Sequence, residues 1–404
     1  VQSPEVLISA SALRENFALL RAHSGNQALF PVIKANSYGH GAVPVARILE
    51  AAYGPVELPL FCVARWAEME ELRGAGITRG ILVLSHVGAE EVERASVGSR
   101  TGEVHLCVNG MDDVERLLAL SARGRRSLAG LHLNLNTGMN RLGFRVQETP
   151  RSPELAAAVP RLLEAGFSIR GIMSHLARSE EEPPAYTQQQ HALFLAAIEA
   201  LRREWPGKAF PEWIHLSNSS SIGRALPGTN ACRPGILLWG AYQDPAHRQQ
   251  AAKLELRPVL EARAPLRQVI RVRAGEGVGY GHRFKAPRDS LIGTVCLGYA
   301  DGLPRTLSRR ADQDWKAGFV LRGQRVPLAG TVSMDMAMVD LTEHPEGPAI
   351  EAALAKPGHT EWAWWIGQGQ TAEDVAEAAG TISYEIFCRL ALRLRRRVVE
   401  GAVL

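Results

Sequence analysis

Residues 29–41 read LFPVIKANSYGHG. Leu29 to Ile33 are apolar and have the length of a buried strand. Lys34 closes the run, and a polar, glycine-rich turn follows with Asn36, Tyr38, Gly39, His40 and Gly41. A lysine at the carboxyl end of a buried strand is expected to be desolvated. That disfavours its charged form and makes the amine a nucleophile. The ordinary alternative is a lysine whose ammonium group snorkels to water. The choice depends on where the other reactive side chains fall.

Outward from this segment, short apolar runs alternate with helical patterns to about residue 245. The candidate strands are Leu29–Ile33, Leu60–Val63, Ile81–Leu84, Val104–Val108, Gly130–Leu135, Ile169–Met173, Trp213–Leu216 and Gly235–Trp239. Amphipathic stretches such as Ala67–Leu72, Val114–Ala122, Glu154–Ala165 and Tyr186–Glu204 lie between them. Eight strands with interleaved helices predict an α/β fold of the (β/α)8 TIM-barrel type, with a doubly wound sheet as the alternative. Lys34, Asn136, His175 and Asn218 all fall just after strand ends, which favours the barrel, because barrel chemistry sits at that face. From about Leu256 the texture changes to β-rich runs (264–272, 291–297, 318–321, 326–329, 336–341) spaced by turns. These predict a mostly antiparallel C-terminal β-domain. Thr371 is placed to cap a helix with acidic residues in its first turn. The stretch 242–255 marks the boundary, giving a barrel over 1–248 and a β-domain over 249–404.

The composition narrows the function classes. The chain has 404 residues, 46% hydrophobic and 22% charged, which suits a globular protein with a large core. Lys+Arg minus Asp+Glu is 46 − 42 = +4, a balance that does not point to nucleic acid. The basic cluster Arg393, Arg395, Arg396 and Arg397 reads as the solvated end of a helix. No apolar run has the length of a membrane span. The five cysteines (62, 107, 232, 296 and 388) are scattered in apolar segments and read as buried thiols. They lean towards a reducing, cytoplasmic setting, with export behind a removed leader as the other option.

Three further segments carry chemistry. SNSSS (217–221) places Asn218 and Ser219 after a strand, and RPGI (233–236) puts Gly235 and Ile236 in a tight turn. Hydroxyls and backbone N–H groups at such turns form an anion cradle. The competing reading is an ordinary loop or cap. His175 follows another strand, and Arg233 precedes a proline. Each could be a plain structural residue by itself.

Taken together the segments resemble the alanine racemase family, over almost the whole chain. PVIKANSYGHG is similar to the family's cofactor-lysine motif. LNTGMNRLGF (135–144), MSHLARSEE (173–181), SNSSS and RPGILLWG (233–240) resemble its later barrel motifs. VGYGHRF (278–284), GYADGLPR (298–305), AGTVSMDMAMVDLT (329–342) and GTISYEIFCRL (380–390) match in the same order. The resemblance implies pyridoxal 5'-phosphate held as a Schiff base by Lys34. Its phosphate would be bound by Tyr38, Ser219, Gly235, Ile236 and Tyr384, with Asn218 beside them. Arg233 would face the pyridine nitrogen. Arginine is effectively never deprotonated, so it cannot give that nitrogen a proton, and side reactions are restrained.

Racemisation needs a base on each face of the substrate. The resemblance assigns Lys34 to one face and Tyr280 to the other, the tyrosine coming from the neighbouring subunit of a homodimer. His175 would link Arg233 to that tyrosine, and the positive pair would help a phenol with an ordinary pKa near ~10 to act. Arg141 and Met334 would bind the substrate carboxylate, Tyr299 and Tyr384 would narrow the entrance, and Asp335 would support the site. The implied substrate is alanine and the implied product use is D-alanine for peptidoglycan, with no metal, membrane or nucleic-acid partner. Where many family members carry a carbamylated lysine, this chain has Asn134. A small anion such as chloride beside Asn134 and Arg141 is the expected compensation, with a neutral packing substitution as the alternative. The competing functions are a racemase of broad specificity, a pyridoxal-phosphate binding protein without turnover, and a decarboxylase on the same barrel.

Overall fold

A computed structural model describes residues 2–95, 102–146, 150–206, 209–224, 226–250 and 254–401. The chain divides into two units, one made of Phe17–Ser37 and Ala42–Leu238, the other of Val1–Asn16, Tyr38–Gly41 and Trp239–Leu404. The boundary expected at 248 therefore moves to 238/239, and the N-terminus leaves the barrel. The cause is strand pairing. Glu5–Ser9 lies antiparallel to Leu260–Val272 and parallel to Arg395–Val399, so its backbone groups are satisfied only in the second unit. Of the expected linker, residues 251–253 lie outside the described residues.

In the first unit, parallel strands run in the order Ala28–Leu29, Ala231–Arg233, Trp213–Asn218, Ile169–Met173, Gly130–Asn136, Val104–Val108, Gly80–Val83 and Leu60–Val63. A parallel bridge from Val32 to Cys62 joins the two ends and brings the sheet round into a barrel. Strands covered on both faces need apolar side chains throughout, which is why they read as continuous hydrophobic runs. Helices between them include Ala42–Ala52, Trp66–Gly74, Pro153–Glu164 and Ala185–Glu204. The expected helix 114–122 is two helices, Met111–Leu118 and Ala122–Arg126, the second capped by the Ser121 hydroxyl.

The eighth strand is a correction. Gly235–Trp239 was expected to be extended, but Ile236–Trp239 is a 3-10 turn, and the strand is the short segment Ala231–Arg233. A four-residue apolar run cannot be told from a buried helical turn by periodicity. A strand that ends in a buried arginine gives no apolar signal at all.

The second unit is a mostly antiparallel sheet in the order Gln324–Val326, Phe319–Leu321, Glu361–Ile366, Leu260–Val272, Glu5–Ser9 and Arg395–Val399. Ser290–Val295 branches from Leu260–Val272 and pairs with Ala337–Asp340. Thr371 caps Ala372–Ala379 as expected, its hydroxyl accepting from the Asp374 N–H at 3.1 Å. The arginine cluster is not a solvated helix end. It lies in and before a strand, where Arg393 pairs with Asp301 and Asp335, and Arg397 with Glu5. Arg396 donates to the carbonyls of Gly39, Leu390, Ala391 and Leu394. These cations are occupied by the chain's own acceptors.

Glu261 sits on the strand Leu260–Val272, buried, with the Gln368 N–H at 3.4 Å. Burial pushes its carboxyl up to about 7 from the ordinary 4.5, outweighing the Gln368 hydrogen bond and the Arg263 charge. The folded chain thus keeps a proton that the unfolded chain has released. Its contribution to stability is fully present below about 4.5 and is lost as pH rises through about 7. The urea midpoint should therefore fall between about pH 5 and 7, and Glu261→Gln should flatten that part of the profile. Parallel profiles for the two proteins would contradict the assignment.

Candidate active site

The barrel's share of the site lies at the carboxyl ends of its strands. Ala35, Asn36, Ser37 and Tyr38 have φ of 51°, 54°, 54° and 52°, so the chain after Lys34 makes one left-handed helical turn. Such a turn costs roughly 1–2 kcal/mol per non-glycine residue. It is held by local hydrogen bonds. Glu68 accepts from the Ala35 N–H at 2.6 Å and from the Ala64 and Arg65 N–H groups, and the Asn36 side chain accepts from the Ala42 N–H at 2.8 Å. Gly39 continues the positive φ at 82°, and a Cβ there would lie 2.1 Å from the Phe387 carbonyl oxygen. Only glycine fits. Lys34 is half-buried at the start of this turn.

Ser219 opens a 3-10 turn capped by Asn218. The Asn218 Oδ1 accepts from the Ser221 N–H at 3.2 Å and from the Ser179 hydroxyl at 2.9 Å, so its role is to fix the turn. The Ser219 hydroxyl accepts from the Gly235 N–H at 2.8 Å and the Leu237 N–H at 3.4 Å. Ser219 is thus brought against the 235–237 turn, through the Gly235 N–H anticipated from sequence and the Leu237 N–H that was not.

Arg233 is almost wholly buried. Its Nη1 donates to the His215 Nδ1 at 2.6 Å and the His215 carbonyl at 2.8 Å. Its Nη2 donates to the Ser174 carbonyl at 2.5 Å and the Leu216 carbonyl at 3.3 Å. Burial lowers its pKa from the ordinary arginine value, with the charge of Arg141 acting in the same direction. The imidazole that Arg233 meets is that of His215, and among the described residues no hydrogen bond runs from Arg233 to His175. His175 is pushed down to about 3 by burial first, then by the charges of Arg233, Arg141 and Lys34. That direction disfavours a charged imidazole near Arg233, against the positive pair expected from sequence.

Gln190, from the helix Ala185–Glu204, was not anticipated. It donates to the His175 carbonyl and the Thr137 hydroxyl and accepts from the Ala177 N–H, fixing the loop that carries His175. Asn134 donates to Asn109 Oδ1 at 2.9 Å, a second residue with no sequence signal. Asn136 accepts from the Gly138 and Asn140 N–H groups, which folds the loop that presents exposed Arg141. Cys62 and Cys232 are buried, and burial pushes their thiols up to about 12 and about 11. Cys388, expected to be buried, is exposed on the helix Ser383–Cys388.

The second unit carries the remaining site residues. Tyr280 is 73% exposed, on a short turn between Gly279 and Gly281. It shares an open cleft of about 780 Å³ with Met334, Asp335 and Met336. Met334 is 54% and Tyr299 43% exposed, and Tyr299 is tied to this loop by its N–H to the Ser333 carbonyl. Arg393 bridges Asp335 and Asp301 at 2.7 Å each, which secures the loop from behind. Tyr38 packs against Tyr384 and Trp239 with ring centroids 5.9 Å apart in both cases. Among the described residues no helix is long and apolar enough to cross a membrane.

Comparison with known proteins bears on the family and the fold. Residues 8–243 match the family model for the alanine racemase N-terminal domain, and residues 259–398 that for the C-terminal domain. Alanine racemase of Desulforamulus reducens is 34% identical over 393 residues, 96% of this chain and 97% of the relative. That of Pseudomonas entomophila is 38% identical over 387 residues, 95% and 96%. The crystal structure of alanine racemase from D-cycloserine producing Streptomyces lavendulae superimposes with a TM-score of 0.82 at 30% identity, covering 99% of this chain and 98% of that one. The Bacillus anthracis alanine racemase with bound L-Ala-P gives 0.82 at 27% identity, covering 100% and 97%.

Proposed function

This chain belongs to the alanine racemase family, and we propose that it interconverts L- and D-alanine by moving the α-proton between Lys34 and Tyr280 of a second copy. The observation that carries the two-copy reading is the exposed face of the second unit. Tyr280 and Met334 stand largely in solvent around one cleft, where a catalytic phenol has nothing to act on. An exposed face of this kind is what a homodimer would cover.

The residues present fit pyridoxal 5'-phosphate. A half-buried amine, N–H groups converging on a serine hydroxyl, and a buried guanidinium all belong to the carboxyl ends of the barrel strands. Lys34 Nζ would hold the aldehyde carbon. Ser219, the N–H groups at 235–237, Tyr38 and Tyr384 would hold the phosphate, and Arg233 would meet the ring nitrogen as a donor. The cofactor supplies the electron sink that acidifies the α-hydrogen. Once the substrate amine has displaced it, the freed Lys34 Nζ takes or returns that proton on one face, and the Tyr280 phenolic oxygen does so on the other. Arg141 and the Met334 backbone would orient the carboxylate, with Asp335 and Tyr299 shaping the entrance. His175, whose charged form burial disfavours, contributes no charge in this reading. The use we propose for the product is D-alanine for peptidoglycan, made in the cytoplasm.

Asn134 can hydrogen-bond but cannot neutralise Arg141, so a small anion beside the two is part of the proposal. A crystal grown in bromide should show an anomalous peak there; a featureless map with Arg141 unmoved would discard it. Asn134 also favours the second reading, a racemase of broad specificity, which a panel of L-amino acids assayed for D-products would distinguish.

Lys34→Ala and Tyr280→Ala should each lower racemisation by roughly 10²–10⁴-fold. Mixed and allowed to exchange subunits, the two inactive proteins should recover activity. Hybrid dimers without recovery would rule out a site shared between copies.

A further inference from the structure

Three histidines sit inside barrel strands, at His105, His132 and His215, each essentially inaccessible to solvent. They form one hydrogen-bonded file. Arg233 Nη1 meets His215 Nδ1 at 2.6 Å, and His215 Nε2 meets His132 Nδ1 at 2.8 Å. His132 Nε2 meets His105 Nδ1 at 3.2 Å, and His105 Nε2 reaches the exposed Glu103 carboxylate at 3.4 Å. The barrel makes room for them. A Cβ on Gly171 would lie 2.2 Å from His132 Nδ1, and one on Gly130 would lie 2.8 Å from His105 Nδ1. Phe30 packs edge-on against His132 and His215.

The direction of the file follows from its ends. A guanidinium has five donors and no acceptor, and an ionised carboxylate accepts only. His215 Nδ1 must therefore accept, which puts its proton on Nε2. That proton makes His132 Nδ1 an acceptor, and the same step repeats at His105. We propose that Arg233 sets a single Nε2–H tautomer on all three rings, and that His215, His132 and His105 are positioning residues holding the guanidinium in one orientation. The file carries no proton, because the guanidinium does not release one.

Burial keeps the rings neutral, driving His132 and His215 well below the ordinary imidazole value and lowering His105. The charge of Arg233 adds to this at His215 and His132. At the outer end, Glu103 and Glu212 favour a charged His105 and Arg170 opposes it, but burial outweighs them. The reading concerns the chain alone and holds whether or not the cofactor assignment does.

Nitrogen-15 histidine labelling of the full-length protein, with long-range proton–nitrogen correlation, reads the tautomers directly. Three rings should show protonated Nε2 and bare Nδ1, unchanged from pH 6 to 8. Any of the three with the Nδ1–H tautomer, or titrating in that range, overturns the proposal. In Arg233→Leu the rings should lose their single tautomer; retention in a folded Arg233→Leu protein would show that the guanidinium does not set it. In the cofactor-loaded dimer, His132→Leu should lower kcat about tenfold with the KM for alanine nearly unchanged, and His132→Gln, which can both accept and donate, should recover much of the loss. Equal losses in the two variants would reduce His132 to a packing role.

Discussion

A cation that cannot give up its proton is buried at the end of a barrel strand, and the surrounding structure answers to it. Arg233 needs acceptors because an unpaired buried charge costs several kcal/mol. The carbonyls of Ser174, His215 and Leu216 provide three, and the His215 ring provides a fourth. Each carbonyl is used at a position where the parallel ladder ends or shifts register. The arginine therefore belongs at a barrel's rim, where backbone acceptors become available and where barrel chemistry is found.

A second constraint lies in the left-handed turn after Lys34. Its local strain is offset by Glu68, which accepts from the Ala35 N–H that opens the turn, and by Asn36, which accepts from the Ala42 N–H beyond it. The reward is placement: a lysine after the strand Ala28–Leu29, followed one turn later by Tyr38 and then by Gly39 and Gly41. In the second unit the corresponding economy is exposure. Tyr280 and Met334 are left in solvent, while Asp335 behind them is fixed by Arg393. A rigid support under an exposed aromatic face suits a surface that works on another copy of the chain.

Much of this was legible in the sequence, for definite reasons. Parallel strands are buried on both faces, so seven of the eight read as apolar runs. Lys34, Ser219 and Gly235 were legible because each follows a strand and sits among glycines or hydroxyls. The strand Ala231–Arg233 was hidden by its shortness and its arginine, and the ILLW run took its place. The histidines were hidden by being inside strands: in VHLCV, LHLNL and WIHLS a histidine looks like a polar interruption. The same pattern three times, at interior positions, was the available signal. The left-handed turn had none, because Ala35, Ser37 and Tyr38 give no hint of positive φ. The N-terminal strand could not be assigned to the second unit from local pattern, since its partners lie more than 250 residues away.

The most direct measurement concerns the ring nitrogen that Arg233 is assigned to meet. Pyridoxal 5'-phosphate labelled with nitrogen-15 in its ring can be bound to the purified protein and its chemical shift followed from pH 6 to 9. A donor-only guanidinium held by these acceptors predicts an unprotonated nitrogen throughout. A protonated nitrogen at any pH in that range would contradict the role given to Arg233 and to the acceptors built around it.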